Sequence, residues 1–124
     1  MWRTIIFIAL GGALGSVLRF LTAILVNKSW QSAFPLATLL INCVGCFCIG
    51  FFVLMLQKQN LLNADLKWFL ITGFCGGYTT FSTFGLENIN LLENQNIGLS
   101  LLYIMTSVIV GIAFVWFGMM VGKL

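Results

Sequence analysis

The sequence predicts an all-α membrane protein with four transmembrane helices, the third broken near its middle. Two observations carry that expectation. Hydrophobic residues make up 60% of the 124 and charged ones only 7%, whereas a soluble domain carries about 25% charged residues to keep its surface wet. The apolar residues also fall into four runs, each close to the roughly 20 residues that cross a ~30 Å hydrocarbon core. Short polar connectors separate them, at Asn27–Phe34, Gln57–Lys67 and Glu87–Asn96. Trp2, Trp30 and Trp68 stand beside run ends, where interfacial aromatics sit. No linker divides the chain, so residues 1–124 read as a single four-helix transmembrane domain.

The first run, Thr4–Val26, is interrupted only by Arg19. Its start resembles a charged n-region and an apolar h-region, but the stretch runs on too far for a signal peptide, and a membrane span is predicted. Gly11 and Gly15 form a small-xxx-small pair that lets helix backbones approach closely. The second run, Pro35–Leu56, carries no charge and one strongly polar residue, Asn42, with Thr38 and Cys46 one turn to either side. An amide in hydrocarbon must be bonded or wetted, so Asn42 is either a helix–helix tie or a pore-lining group.

The third run, Trp68–Leu86, is the unusual one. It reads Gly73-Phe-Cys-Gly76-Gly77-Tyr78-Thr79-Thr80-Phe81-Ser82-Thr83-Phe84-Gly85, with Glu87 just beyond. Paired glycines followed by clustered hydroxyls make poor helix, and backbone that leaves the helix at membrane depth survives only inside protein or beside a water-filled cavity. Broken helices expose carbonyls that suit a cation and half-helix N-termini that suit an anion. An ion site is therefore expected in this span. The fourth run, Ile97–Gly122, repeats the glycine device with Gly111, Gly118 and Gly122, and places Tyr103, Ser107 and Gly111 on one line, a polar track with a gap at its end. Four thin, close-packed helices enclose little, so a homo-oligomer is expected.

Several classes of function are poorly supported. The basic residues form no patch, which disfavours nucleic acid as a partner. Cys43, Cys46, Cys48 and Cys75 lie among apolar residues in a chain without histidine, and read as small hydrophobes rather than metal ligands. No catalytic constellation is present, so no enzyme is expected. No carboxylate stands in the middle of a span, where a proton-coupled carrier keeps its relay, and that points to passive conduction. If the N-terminus is cytoplasmic, Arg3, Lys58, Lys67 and Lys123 lie inside and Lys28 outside, a weak lean to N-in and C-in.

The Gly73–Phe84 segment closely resembles the signature of the Fluc (CrcB) fluoride-channel family. The first-span pattern Gly11-Gly12-Ala-Leu-Gly15-Ser-Val-Leu-Arg19 and the second-span pattern Pro35-Leu-Ala-Thr38-Leu-Leu-Ile-Asn42-Cys-Val-Gly45 are similar to it too, so the resemblance covers the whole chain. It implies an antiparallel, dual-topology homodimer in the bacterial inner membrane, with lipid around it and two pores that export fluoride. It assigns Phe81 and Phe84 to the pore wall, where electropositive ring edges can face a small anion. Asn42, Ser82, Thr83, Tyr103 and Ser107 become hydrogen-bond donors along the route, and Arg19 a vestibule charge that gathers anions. A structural sodium ion at the dimer centre would be held by the main-chain carbonyls of Gly76 and Thr79 from each subunit, oxygen ligands being right for a hard cation. Ala37 and Cys46 depart from the glycine and serine common in the second-span motif, and Gly111 stands where some relatives place a further serine. Two other readings are weaker. A small multidrug-resistance-type transporter should carry a carboxylate in its first span, where this chain has Arg19. A non-conducting assembly subunit would explain the glycines but not the Gly-Gly-Tyr-Thr-Thr-Phe-Ser-Thr-Phe run.

Overall fold

The computed structural model describes residues 1–62 and 65–124, and among these every regular element is helical. Helix α1 spans Trp2–Ser29, α2 Leu36–Lys58 and α6 Ile97–Lys123. These three are long and apolar enough to cross a membrane. The third span is assembled from pieces: α3 (Asp65–Lys67), a π-helical stretch π1 (Trp68–Cys75), α4 (Gly76–Tyr78) and, after a break, α5 (Phe81–Glu93). The protein is thus an all-α, multi-pass membrane protein. The connector expected over Gln57–Lys67 includes positions 63–64, which lie outside the described residues.

Three helices follow the apolar runs closely. Helix α2 starts at Leu36 because Pro35, which has no N–H to donate, precedes it. The third span departs from expectation in two respects. Helical structure continues through Glu93, so most of the connector expected at Glu87–Asn96 belongs to α5. That segment is an amphipathic helix with Asn88 and Leu91 buried, and it ends where Gln95 adopts a left-handed φ of 61°. The glycine pair at 76–77 is helical, and the break falls on the hydroxyl pair that follows: Thr79 and Thr80 are extended, with ψ of 159° and 117°.

The glycines explain how these helices pack. A Cβ on Gly77 would lie 2.6 Å from the Gly12 carbonyl oxygen, and one on Gly73 2.8 Å from that of Ile8. On α1, a Cβ at Gly11 or Gly15 would collide with backbone of Phe69 or Phe74. Two Gly-xxx-Gly faces therefore meet backbone to backbone, the device by which apolar helices associate without a hydrophobic driving force between them. Gly50 and Gly118 do the same for α2 against α6. These glycines are consumed within one chain, so they are not themselves an association surface. Leu39, Cys43, Leu91 and Tyr103 form the core, with Phe34, Phe84, Leu99 and Val110 packed around them. Outward, α1 and α6 present large apolar side chains such as Leu25, Met105 and Ile112, as helices surrounded by lipid must.

Candidate ion pathway

The break in the third span organises the site. In a continuous helix the Thr80 N–H would bond the Gly76 carbonyl. Here it bonds Asn42 Oδ1 at 2.9 Å, and Asn42 Nδ2 donates to the Thr80 carbonyl at 3.1 Å. One amide on α2 thus satisfies both main-chain groups of a residue that has left the helix. Of the two roles open to Asn42, the helix–helix tie is occupied. One amide hydrogen remains, and the residue lines a cavity. The Gly76 carbonyl, deprived of its helical donor, is left for another partner. Thr79 turns back, its N–H and Oγ1 donating to the Cys75 carbonyl at 3.0 and 2.8 Å.

Beyond the break, α5 begins within the span. Its first N–H groups have no intrahelical acceptor, and Thr80 caps one of them, accepting from the Thr83 N–H at 3.4 Å. The Thr80 hydroxyl also donates to Thr83 Oγ1 at 3.0 Å and lies 3.5 Å from Ser82 Oγ. A helix N-terminus carries partial positive charge. This one shares a cavity of about 300 Å³ with Arg19, Ser16, Thr38, Thr80 and Thr83. The structure therefore brings Arg19 to the hydroxyl-rich start of α5, although the two lie far apart in sequence.

A second cavity, of about 510 Å³, runs along the other side of the break. Asn42, Cys46, Gly76, Thr79, Thr80 and Phe81 are among its lining residues, and its walls are mainly apolar. Thr80 lines both cavities and separates them. Phe81 is 83% exposed on the single chain. Its ring stands 5.6 Å from that of Phe84, which lies 5.0 Å from Tyr103, forming a ladder of three rings. Ser82 is exposed beside Phe81 and joins neither cavity.

Glu87, to which sequence reasoning gave no role, accepts two hydrogen bonds in the structure. Thr38 Oγ1 donates to one of its carboxylate oxygens at 2.7 Å, and the Tyr103 hydroxyl donates to the other at 2.8 Å. Tyr103 is fully buried. The same carboxylate lines a third cavity, of about 580 Å³, with Pro35, Asn90, Asn94 and Asn96. The available signal was the spacing Phe84, Glu87, Leu91, which would have placed the carboxylate on the inner face had α5 been extended past the apolar run. One turn beyond Tyr103, the buried Ser107 hydroxyl has no hydrogen-bond partner among the described residues. The predicted positions thus divide into an Arg19–Thr83 group, an Asn42–Gly76–Thr79–Phe81 group, a Phe84–Tyr103 group joined to Glu87, and Ser107 further along α6.

A sequence model of the family described as CrcB-like protein, Camphor Resistance (CrcB), matches residues 6–119. The chain belongs to the CrcB family. Among its curated relatives, the fluoride-specific ion channel FluC of Flavobacterium psychrophilum is 52% identical over 98% of both chains. The protein of the same name from Azobacteroides pseudotrichonymphae is 44% identical over 95% of this chain and 94% of its own. That from Methylobacillus flagellatus is 39% identical over 92% and 90%. In this CrcB chain, the broken third span with its two flanking cavities is the candidate site.

Proposed function

We propose that the protein is a fluoride-selective passive channel that exports fluoride across the bacterial inner membrane. It works as an antiparallel, dual-topology homodimer with two pores and a structural sodium ion at the dimer centre. The observation that carries this reading is the start of α5 inside the span, where Thr80 and Thr83 share a cavity with Arg19. Fluoride is small and a strong hydrogen-bond acceptor. Donors fixed in a narrow space replace its water, while Arg19 raises the local anion concentration without sitting in the route. The names of the relatives support the same ion.

The Phe81–Phe84–Tyr103 ladder offers ring edges, which are electropositive but too weak to trap the anion. The exposed Phe81 is the ring a second copy would enclose, so the pore is completed by dimerisation. Ser82, Thr83, Asn42 and Ser107 supply donors along the route. Tyr103 has one hydroxyl proton and gives it to Glu87, so fluoride at Tyr103 competes with that carboxylate for it. The freed carbonyl of Gly76 and that of Thr79, beside the exposed Phe81 at one cavity, suit a sodium ion shared between two copies. Such an ion would supply fixed positive charge and hold the two breaks together. The basic residues lean four to one toward N-in and C-in, which runs against dual topology, but the lean rests on only five charges.

The test is ion efflux from liposomes holding the purified protein, with the voltage set by a potassium ionophore. Rapid fluoride loss with chloride retained is the expected result. A well-folded dimer that releases neither ion would overturn the reading.

A further inference from the structure

The line Tyr103, Ser107, Gly111 on α6 loses its side chain at the third position. What faces that gap is a cysteine on α2: a Cβ built on Gly111 would have Cys46 Sγ as its nearest neighbour, at 3.6 Å. Cys46 also lines the 510 Å³ cavity beside Asn42, Thr79 and Phe81. It stands one turn beyond Asn42 on α2, so the same helix face presents an amide and then a thiol. On α6 the neighbouring polar group is the Ser107 hydroxyl, buried and without a partner among the described residues. A buried hydroxyl in that condition calls for water or an ion beside it.

We infer that Cys46 is a pore-lining residue that continues the polar track across the gap at Gly111, its S–H acting as the donor that a side chain at 111 would otherwise supply. The inference rests on the channel reading above and adds a residue, and a second helix, to the route. A thiol is a weak donor and a soft, polarisable group. The track in this protein is therefore weakest at this point, and a hydroxyl introduced from either helix serves the same purpose. The geometry permits the exchange: a Cβ at 111 would rest in ordinary van der Waals contact with Cys46, so serine fits there without displacing backbone.

The experiment compares fluoride efflux from liposomes for the unsubstituted protein, Cys46→Ser, Cys46→Ala and Cys46→Ala/Gly111→Ser, each first shown to elute as the unsubstituted protein does. Cys46→Ala should slow efflux about twofold, the low end of one hydrogen bond's worth, since the thiol is a weak donor. Cys46→Ser should match or exceed the unsubstituted rate, and Gly111→Ser should restore efflux in the Cys46→Ala background. Silver ion provides a second readout that does not depend on the alanine variant folding. Because Cys75 lines the same cavity, the silver comparison is made in a Cys75→Ser background, where silver should block the channel that keeps Cys46 and leave Cys46→Ser conducting. Equal efflux in Cys46→Ala, failure of Gly111→Ser to restore a slowed Cys46→Ala, or undiminished silver block in Cys46→Ser would each overturn the inference. Any of these with fluoride still flowing would leave the channel reading standing. No fluoride flux in the unsubstituted protein would remove both.

Discussion

Replacing Asn42 with alanine tests the central claim about the break, because two hydrogen bonds depend on that one side chain. Its Oδ1 accepts from the Thr80 N–H at 2.9 Å and its Nδ2 donates to the Thr80 carbonyl at 3.1 Å. Thr80 is buried, so both main-chain groups would be left without partners inside the span. A buried polar group stripped of its partner costs about 1–3 kcal/mol, and two of them about 2–6 kcal/mol. Water in the adjoining cavities can reach part of that surface, which favours the lower half of the range. Against a total stability of roughly 5–15 kcal/mol for a typical domain, that is a large fraction. The assay is unfolding by SDS titrated into mild detergent, followed by helix content. Asn42→Ala is expected to lose about 2–4 kcal/mol. Asn42→Asp should also be destabilised, since it keeps an acceptor for the N–H but sets a carboxylate against the carbonyl. An Asn42→Ala protein as stable as the parent would refute the assignment of Asn42 as the clamp on Thr80.

Other consequences can be checked alongside. Gly77→Ala would push a Cβ to 2.6 Å from the Gly12 carbonyl oxygen and should lose about 1–3 kcal/mol by overpacking. Gly98→Ala, where nothing lies within 4 Å, should be neutral or slightly stabilising in the same SDS titration. Phe81→Ala should abolish fluoride efflux from liposomes while leaving the helix content and SDS midpoint of the single chain nearly unchanged, because its ring is largely outside the fold. Tyr103→Phe leaves one oxygen of Glu87 without its donor and should lose about 1.5–3 kcal/mol, the worth of a hydrogen bond to a charged group, with a parallel fall in fluoride flux. If sodium bridges two subunits through Gly76 and Thr79, purification and assay in N-methylglucamine should lower fluoride efflux, and added sodium should restore it.

The spans were legible because their physics is local. Continuous apolar stretches such as Pro35–Leu56 have few ways to satisfy their backbone in lipid other than as helices, and α2 follows that run within two residues at either end. The third span was legible as irregular but not in detail. Glycine is a poor helix former in isolation, so Gly76–Gly77 and the hydroxyls after them read together as poor helix. Within the bundle Gly77, together with Gly73, instead lets π1 and α4 lie against α1, while Gly76 has nothing within 4 Å of it, and a helix supplies that close face best. The break falls at Thr79–Thr80, where Asn42 can replace the lost bonds. That compensation comes from another helix, 38 residues away in sequence, and no local pattern announces it. The sharing of one cavity by Arg19, Thr80 and Thr83 is equally non-local.

Glu87 shows why the remaining site residues escaped. A carboxylate normally ends an apolar run, and the sequence alone places it at the water's edge. In the fold its charge is met by two hydroxyls, Thr38 from α2 and Tyr103 from α6, so α5 continues past it. This arrangement also bears on ion passage. Thr38 lines the cavity with Arg19, while Glu87 lines the one with Asn90, Asn94 and Asn96, and the Thr38–Glu87 bond runs between the two. The hydroxyl protons of Thr38 and Tyr103 are already committed to an anion, the carboxylate. An incoming fluoride can use them only by replacing one acceptor with another, an exchange that changes the number of satisfied donors little. On the channel reading, each exchange leaves the Glu87 carboxylate short of a donor and beside a second anion, so these hydroxyls cannot hold fluoride permanently.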